Sequence, residues 1–321
     1  MAGAPDLVYY PDSRPGISRR RAGRGWSYAA PDGTTIDDAE ERKRLNGLAV
    51  PPAYADVWIS PRRRGHLQAT GYDDRKRKQY RYHDLWAEWR AAKKFDGLAE
   101  FGEALPRLRA RVAKGLGDEP GTEAFALAAI TRLIDRTSAR VGSESNLREN
   151  GTEGATTLRT RNLALDGDRI ELGWRAKGGK RVRKHLTDAT LARALHRLQD
   201  LPGAPLFEWL DGGEVRRIEA QRLNDWLREA TGVEGATAKT FRTWNGSVAA
   251  LDAALAEGAG VTVRRMSEAA ADALHNTPSI ARTSYVHPDV IGLAEEWRDV
   301  AVPDAPSGLR RTERALLGRL A

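Results

Sequence analysis

The chain has 321 residues, a formal net charge of +8 and a pI near 9.8, so it is long enough for one large or two ordinary domains and suited to a polyanionic partner. It contains no cysteine, which excludes disulfides, thiolate metal sites and cysteine nucleophiles, and none of its six histidines stands in an i, i+4 pair, so no metal site is expected. No apolar run approaches the roughly 20 residues of a membrane span and no signal peptide is evident, which gives the expectation of a soluble intracellular protein with no membrane partner.

Charge is uneven: the first 90 residues hold 17 of the 52 Lys and Arg against 12 of the 44 acids, making this the more basic part. Residues 1–20 mix Pro, Gly, Ser and Arg without periodicity and predict a partly ordered arm. Within it, Arg19-Arg20-Arg21 reads either as a phosphate contact or as a solvated face. Gly25-Trp26-Ser27-Tyr28-Ala29, the turn Pro31-Asp32-Gly33 and Thr34-Thr35-Ile36 predict strand, turn and strand. Asp37 or Asp38 is placed to cap a short helix through Leu48, since its carboxylate accepts the first free amides. Val57-Trp58-Ile59-Ser60 and Leu67-Gln68-Ala69-Thr70-Gly71-Tyr72 predict two more strands. Residues 1–84 therefore read as a β-rich domain.

That domain ends in Arg75-Lys76-Arg77-Lys78-Gln79-Tyr80-Arg81-Tyr82-His83. In an extended strand Tyr80 and Tyr82 project from one face and Gln79 and Arg81 from the other. A glutamine can pair with adenine and guanidinium groups bind phosphate or guanine, so these four residues are candidates for contact with double-stranded DNA. An edge strand with an inward-packed aromatic residue is the equal alternative.

From residue 85 to 321 the chain reads as a mainly helical second domain. Helices are predicted from Leu85, over residues 101–116, and over 122–141, with Leu127, Ile130, Leu133 and Ile134 inward and Arg140 at the C-terminal end. Residues 156–158, 170–174 and 180–186 predict three strands, turning at Asp166-Gly167-Asp168 and at 176–179, so Lys177 rides a hairpin tip. Helical patterns resume over 188–199, 217–230, 246–257 and 262–274. The fold class is α+β.

Near the C-terminus, residues 274–288 present one phenol, Tyr285, nine positions after the amide Asn276. A tyrosine hydroxyl is a poor nucleophile at neutral pH and needs cations from elsewhere in the chain. Three stand out: Arg140 in Ser138-Ala139-Arg140-Val141-Gly142, Lys177 in Trp174-Arg175-Ala176-Lys177-Gly178-Gly179-Lys180, and Arg242 in Lys239-Thr240-Phe241-Arg242-Thr243-Trp244-Asn245. Taken singly, Arg140 can be a cation at a helix terminus and Lys177 a solvated hairpin lysine.

Together these segments resemble the type IB DNA topoisomerases, especially the compact bacterial and poxvirus-like enzymes, over nearly the whole chain. Lys239-Thr240-Phe241-Arg242-Thr243-Trp244-Asn245 is similar to that family's Lys-x-Phe-Arg-Thr-aromatic-Asn signature, and Gln79-Tyr80-Arg81-Tyr82 to its N-terminal segment facing the major groove. The resemblance implies Tyr285 as nucleophile, Arg140 and Arg242 as phosphate-binding arginines, and Lys177 as general acid. Asn276 stands where many members have histidine; its NH2 can still donate to a phosphate oxygen, but charge and proton transfer are lost. Ala176 replaces the usual glycine before the hairpin lysine.

The implied activity is relaxation of supercoiled DNA by single-strand cleavage through a 3′-phosphotyrosyl intermediate and religation, with no metal, ATP or other cofactor. The implied form is a monomer clamping the duplex, cytoplasmic and nucleoid-associated in a bacterium. Tyrosine recombinases share the Arg, Lys, Arg and Tyr roles but carry His three residues before the second Arg, where this chain has Lys239. A non-catalytic DNA-binding protein would explain the charge but not the matched tyrosine and cations.

Overall fold

A computed structural model describes residues 5–303 and 307–320, the side chain of Ala92 apart. The chain forms two compact units, Met1–Asp96 and Gly97–Ala321. The first contains β1 (Ile17–Ala22), β2 (Gly25–Ala29), α1 (Ala39–Gly47), β3 (Ala55–Ile59), β4 (Leu67–Tyr72), β5 (Lys78–Tyr82) and α2 (Asp84–Ala92). Its strands make one antiparallel sheet in the order β2-β1-β3-β4-β5. Ile17, Tyr28, Val57, Ile59 and Ala69 form a buried cluster with Leu45 of α1, and the Asp38 carboxylate caps α1 by accepting from Glu41 N at 2.7 Å.

Two expectations are corrected here. The segment read as an irregular arm contains β1, paired with β2 from Ser18↔Ala29 to Ala22↔Gly25. Apolar alternation is missing because arginine does part of the packing: the Arg19 guanidinium lies 3.9 Å from the Trp26 ring and donates to Val50 O and Pro51 O at 2.7 and 2.9 Å. The strand expected at residues 34–36 is only a bridge, Ala29↔Thr35. The sheet itself ends at Tyr82, next to the change of character at residue 84, and α2 is counted with the first unit.

The second unit runs α3 (Leu98–Gly115), α4 (Glu123–Thr137), α5 (Glu144–Asn150), β6 (Leu163–Asp166), β7 (Arg169–Arg175), β8 (Arg181–Thr187), α6 (Ala189–Gln199), β9 (Glu208–Asp211), β10 (Glu214–Arg217), α7 (Ala220–Thr231), α8 (Ala238–Glu257), α9 (Val263–Leu274), α10 (Pro278–Tyr285), α11 (Pro288–Ile291) and α12 (Arg311–Leu320). The molecule is thus α+β, with a three-stranded antiparallel sheet β6-β7-β8 among the helices. The centre of the second unit is α8, which buries Phe241, Trp244 and Leu251; Phe241 meets Phe101 of α3 edge-on at 5.1 Å. Trp244 packs where α3 has Gly102, whose missing Cβ would lie 2.4 Å from the indole. Behind it, Glu313 of α12 is fully buried, and Arg109, Arg310 and the Trp244 indole N–H all point their donors at its carboxylate.

Several boundaries differ from the sequence pattern, most of all that of α8, which was expected from 246 and begins at Ala238. The first strand of the sheet is β6, not residues 156–158: Thr156 and Thr157 fall in a single helical turn, Ala155–Thr157, and Leu158 is the extended residue that follows it. Helix α4 stops at Thr137 because Ser138 takes the left-handed conformation at φ 56°, so Arg140 lies beyond the helix. The helix expected from 217 starts at Ala220, because Arg217 belongs to the unforeseen β9-β10 hairpin.

Candidate active site

The Lys239–Asn245 motif lies wholly within α8, and helical spacing divides its labour. Phe241 and Trp244, three apart, fill the core, while Arg242 and Asn245, also three apart, reach the segment after α4. Asn245 Nδ2 donates to Asp135 O and to Ser138 Oγ, each at 3.0 Å, and Arg242 Nη1 donates to Ser138 O. The left-handed turn at Ser138 is therefore held from α8. The chain beyond it is pinned as well: Ala155 N donates to Arg140 O and Thr156 N to Val141 O, each at 2.8 Å. Gly142 (φ 84°) and Gly154 permit this crossing, since a Cβ on Gly154 would come within 2.6 Å of Arg140 O. Arg140 thus has a fixed backbone and a half-exposed side chain.

Arg242 is only 3% exposed. Besides Ser138 O it reaches Leu274 O at the end of α9, at 3.1 Å, so it satisfies carbonyls left over by two helix ends. Removing such a partner costs about 1–3 kcal/mol for each buried acceptor left unpaired. Its Nε has no partner among the described residues. Its guanidinium carbon lies 4.8 Å from the centroid of the Tyr285 ring.

Tyr285 ends α10, whose start is fixed by Pro278 and by Thr277, a cap accepting from Ile280 N. Its main chain is docked on α8: Ser247 Oγ donates to Tyr285 O at 3.2 Å and accepts from His287 N at 2.9 Å. Gly246 makes the approach possible, because a Cβ there would sit 3.1 Å from Tyr285 O and 3.2 Å from Tyr285 Cβ. Asn276 follows a left-handed His275 (φ 49°) at the end of α9, and its Oδ1 accepts from Arg140 Nη2 at 2.7 Å. That bond orients the amide and leaves the buried Nδ2 without a partner among the described residues.

The electrostatics follow from this packing. Burial alone would raise the Tyr285 phenol, but Arg242, by charge and close approach, then Arg140 and Lys239, outweigh it, and the phenol is lowered from its usual value. Burial and the neighbouring Arg140 push the Arg242 guanidinium down, though a guanidinium stays charged at any working pH. His275 is lowered first by burial, then by Lys184 and Arg242. The arrangement offers a half-buried phenol, two guanidiniums and one spare amide N–H2, all donors or a nucleophile with no carboxylate among them, and so suits an anion with oxygen acceptors.

Arg140, Arg242, Asn276 and Tyr285 are therefore brought together from four separate segments. Lys177 is not: it lies in the turn Lys177–Gly179 between β7 and β8, exposed, and among the described residues no hydrogen bond or ion pair reaches it. Ala176, in place of glycine, has ordinary extended angles (φ −88°, ψ 175°), and the positive φ values fall on Gly178 and Gly179, so the turn does not need a glycine at 176. Three residues that the sequence reading passed over also belong here: Ser247, Gly246 and Lys184. Only Lys184 left a usable signal, because on β8 it shares the inward face of buried Val182.

In the first unit β5 carries the other candidates. Tyr80 and Tyr82 stack at 6.2 Å on one face and are 52% and 42% exposed, so the inward-packed alternative does not hold. Gln79 Nε2 donates to Asp73 Oδ2 at 3.0 Å, and the Asp73 carboxyl, held at about 2 by bonds from Arg77, keeps its charge. Arg81 is exposed.

Residues 83–280 match the family model described as the catalytic core of eukaryotic DNA topoisomerase I, and residues 25–73 match the N-terminal domain of bacterial DNA topoisomerase IB. The chain belongs to the type IB DNA topoisomerases. Its enzyme class is accordingly that of a DNA topoisomerase, an isomerase. A relative named DNA topoisomerase 1B from Acanthamoeba polyphaga mimivirus is 26% identical over 286 residues, 84% of this chain and 85% of the relative. Among solved structures, the site-specific recombinase XerH bound to its difH substrate is similar at 15% identity (TM-score 0.42, post-cleavage complex) and 17% (0.39, pre-cleavage complex). Each match covers 60% of this topoisomerase chain, which spans about half the length of the recombinase chains (49% and 51%). The catalytic-core match ends at residue 280, before Tyr285.

Proposed function

We propose that this topoisomerase relaxes supercoiled double-stranded DNA by transient cleavage of one strand, with Tyr285 as the nucleophile. The Tyr285 oxygen attacks the phosphorus, the bond to the 5′ oxygen breaks, and a 3′-phosphotyrosyl link forms. The phenol releases its proton to solvent, a loss favoured by Arg242 and Arg140. Arg140, Arg242 and the Nδ2 group of Asn276 meet the non-bridging oxygens as negative charge grows on them, each fixed donor contributing on the order of 3 kcal/mol. Lys177, whose long side chain on an exposed hairpin turn can reach toward bound DNA, gives a proton to the leaving 5′ oxygen. Religation reverses each step and returns both protons. Nucleophile, charge and proton all come from side chains, so the reaction is written without metal or ATP.

A single observation carries this reading: the phenol of Tyr285 is packed beside the Arg242 guanidinium while Arg140 holds Asn276 with its NH2 group spare. Gln79, Tyr80, Arg81 and Tyr82 would contact the duplex in a clamp formed by a monomer. The test is relaxation of a supercoiled plasmid in EDTA without nucleotide. Relaxation by the parent, lost in Tyr285→Phe, supports the reading; a recombinase or a passive binder would leave the plasmid supercoiled.

A further inference from the structure

Lys184 of β8 donates from Nζ to Ala273 O at 2.9 Å, and Arg242 of α8 donates to the next carbonyl, Leu274 O, at 3.1 Å. Two cations from different elements thus hold consecutive carbonyls in the last turn of α9, where the helix dipole is negative. Directly after that turn come His275 and Asn276, the latter bonded to Arg140. A lysine whose only task was solubility would point outward from the sheet. This one lies on the face of Val182, opposite Leu172, while Arg181 and Arg183 alternate to the exposed side.

We propose that Lys184 is a further positioning residue of the cleavage site, fixing the turn that carries Asn276 and completing the positive charge that meets the scissile phosphate. The inference rests on the cleavage reading above. The groups facing Lys184 are Arg242 on α8 and His275 at the end of α9, with Arg140 and Asp272 bearing on the same turn. Burial, then the charge of Arg242, pushes the Lys184 amine down to about 8. Near pH 8.5 most of the free protein therefore carries Lys184 neutral, and a phosphodiester entering beside Arg242 favours the charged form. Binding then takes up a proton, and by linkage the affinity for DNA falls as pH rises past 8 more steeply than phosphate contacts with fixed charge require.

The experiment uses the full chain carrying Tyr285→Phe, so that binding is read without cleavage, and adds Lys184→Arg and Lys184→Met. Calorimetric titration with a short duplex at pH 8.5, in two buffers of different ionisation enthalpy, counts protons. The Tyr285→Phe protein should take up roughly half a proton or more beyond either Lys184 variant, since neither methionine nor a permanently charged arginine titrates there. With Tyr285 restored, Lys184→Arg should retain most of the cleavage rate at pH 7.5 and hold it better above pH 8, whereas Lys184→Met should be about tenfold slower throughout. Equal proton uptake in all three proteins, or equal losses of rate for Arg and Met, overturns the inference. Failure of the parent to relax plasmid is a separate outcome and strikes the cleavage reading instead.

Discussion

Arg242 and Lys177 are both cations that the cleavage reading requires, and they are built in opposite ways. Arg242 is nearly inaccessible, rises from the middle of the central helix and is fixed by carbonyls from two other helix ends. Lys177 stands on an exposed turn with positive-φ glycines after it, and among the described residues no hydrogen bond or ion pair holds its ammonium. The contrast follows from what each must do. Charge that stabilises a transition state works best when its orientation is set before the reaction, because nothing then has to reorganise. A proton donor for the leaving oxygen must instead meet a substrate atom outside the protein's own packing, and a long side chain on a hairpin tip can do that. One half of the site is assembled by folding; the other is left for the substrate to complete.

The sharpest test of the assembled half removes one oxygen. Tyr285→Phe should abolish the covalent adduct while changing duplex binding little, since the ring and its contact with Arg242 remain; adduct at the parent level on a denaturing gel would refute the assignment. On the unassembled half, Lys177→Ala should slow cleavage of an ordinary phosphodiester by about 10²–10⁴-fold. A substrate with a bridging 5′ sulfur needs no proton on its leaving group and should be largely rescued. If both substrates suffer equally, Lys177 acts by charge alone and the contrast with Arg242 weakens. Asn276→Ala deletes one donor to a charged group, about 1.5–3 kcal/mol, hence roughly 10–100-fold in rate. Asn276→His should keep most of the activity and add a pH dependence near the imidazole range, so a flat profile in that variant would mean that residue 276 does not face the phosphate. Smallest in rate should be Tyr80→Ala, which acts on where DNA is cut: base-edge contacts carry sequence information, so the pattern of cleavage sites should shift while the salt dependence of binding stays nearly constant. An unchanged pattern would leave β5 without a reading role.

What could be read without coordinates follows the same division. The Lys239–Asn245 motif was legible as the likeness of a family signature but not as a helix: the pattern gave a helix only from 246, because within 238–245 core packing at Phe241 and Trp244 alternates with polar anchoring at Arg242 and Asn245 and leaves no plain apolar face. Asn276 and Tyr285 were legible only through their likeness to a family, for nothing local says that an amide and a phenol nine residues apart will face two distant arginines. The end of α4 was misjudged because Ser138, an ordinary residue in a left-handed conformation, is held there by bonds from α8 that no local pattern encodes. β1 was missed because Arg19 takes an aromatic face and backbone carbonyls as partners where an apolar residue was expected. Lys184 could have been found by asking why a lysine shares the inward side of a strand with Val182.

Gly246 gives the tyrosine's placement a scale. Glycine within a helix costs about 1 kcal/mol relative to alanine, so α8 accepts a weak point at its centre. What stands in the vacant space is Leu274 Cδ1, 3.0 Å from where a methyl carbon would be, together with the carbonyl oxygen and Cβ of Tyr285 at 3.1 and 3.2 Å. Gly246→Ala should therefore strengthen the helix as a helix yet press the phenol outward by a few tenths of an ångström. Thermal unfolding and cleavage rate, measured side by side on that variant, should move in opposite directions. The reach between nucleophile and guanidinium is in this sense gauged by one absent methyl group, a spacer of zero length built into the helix that also carries Arg242.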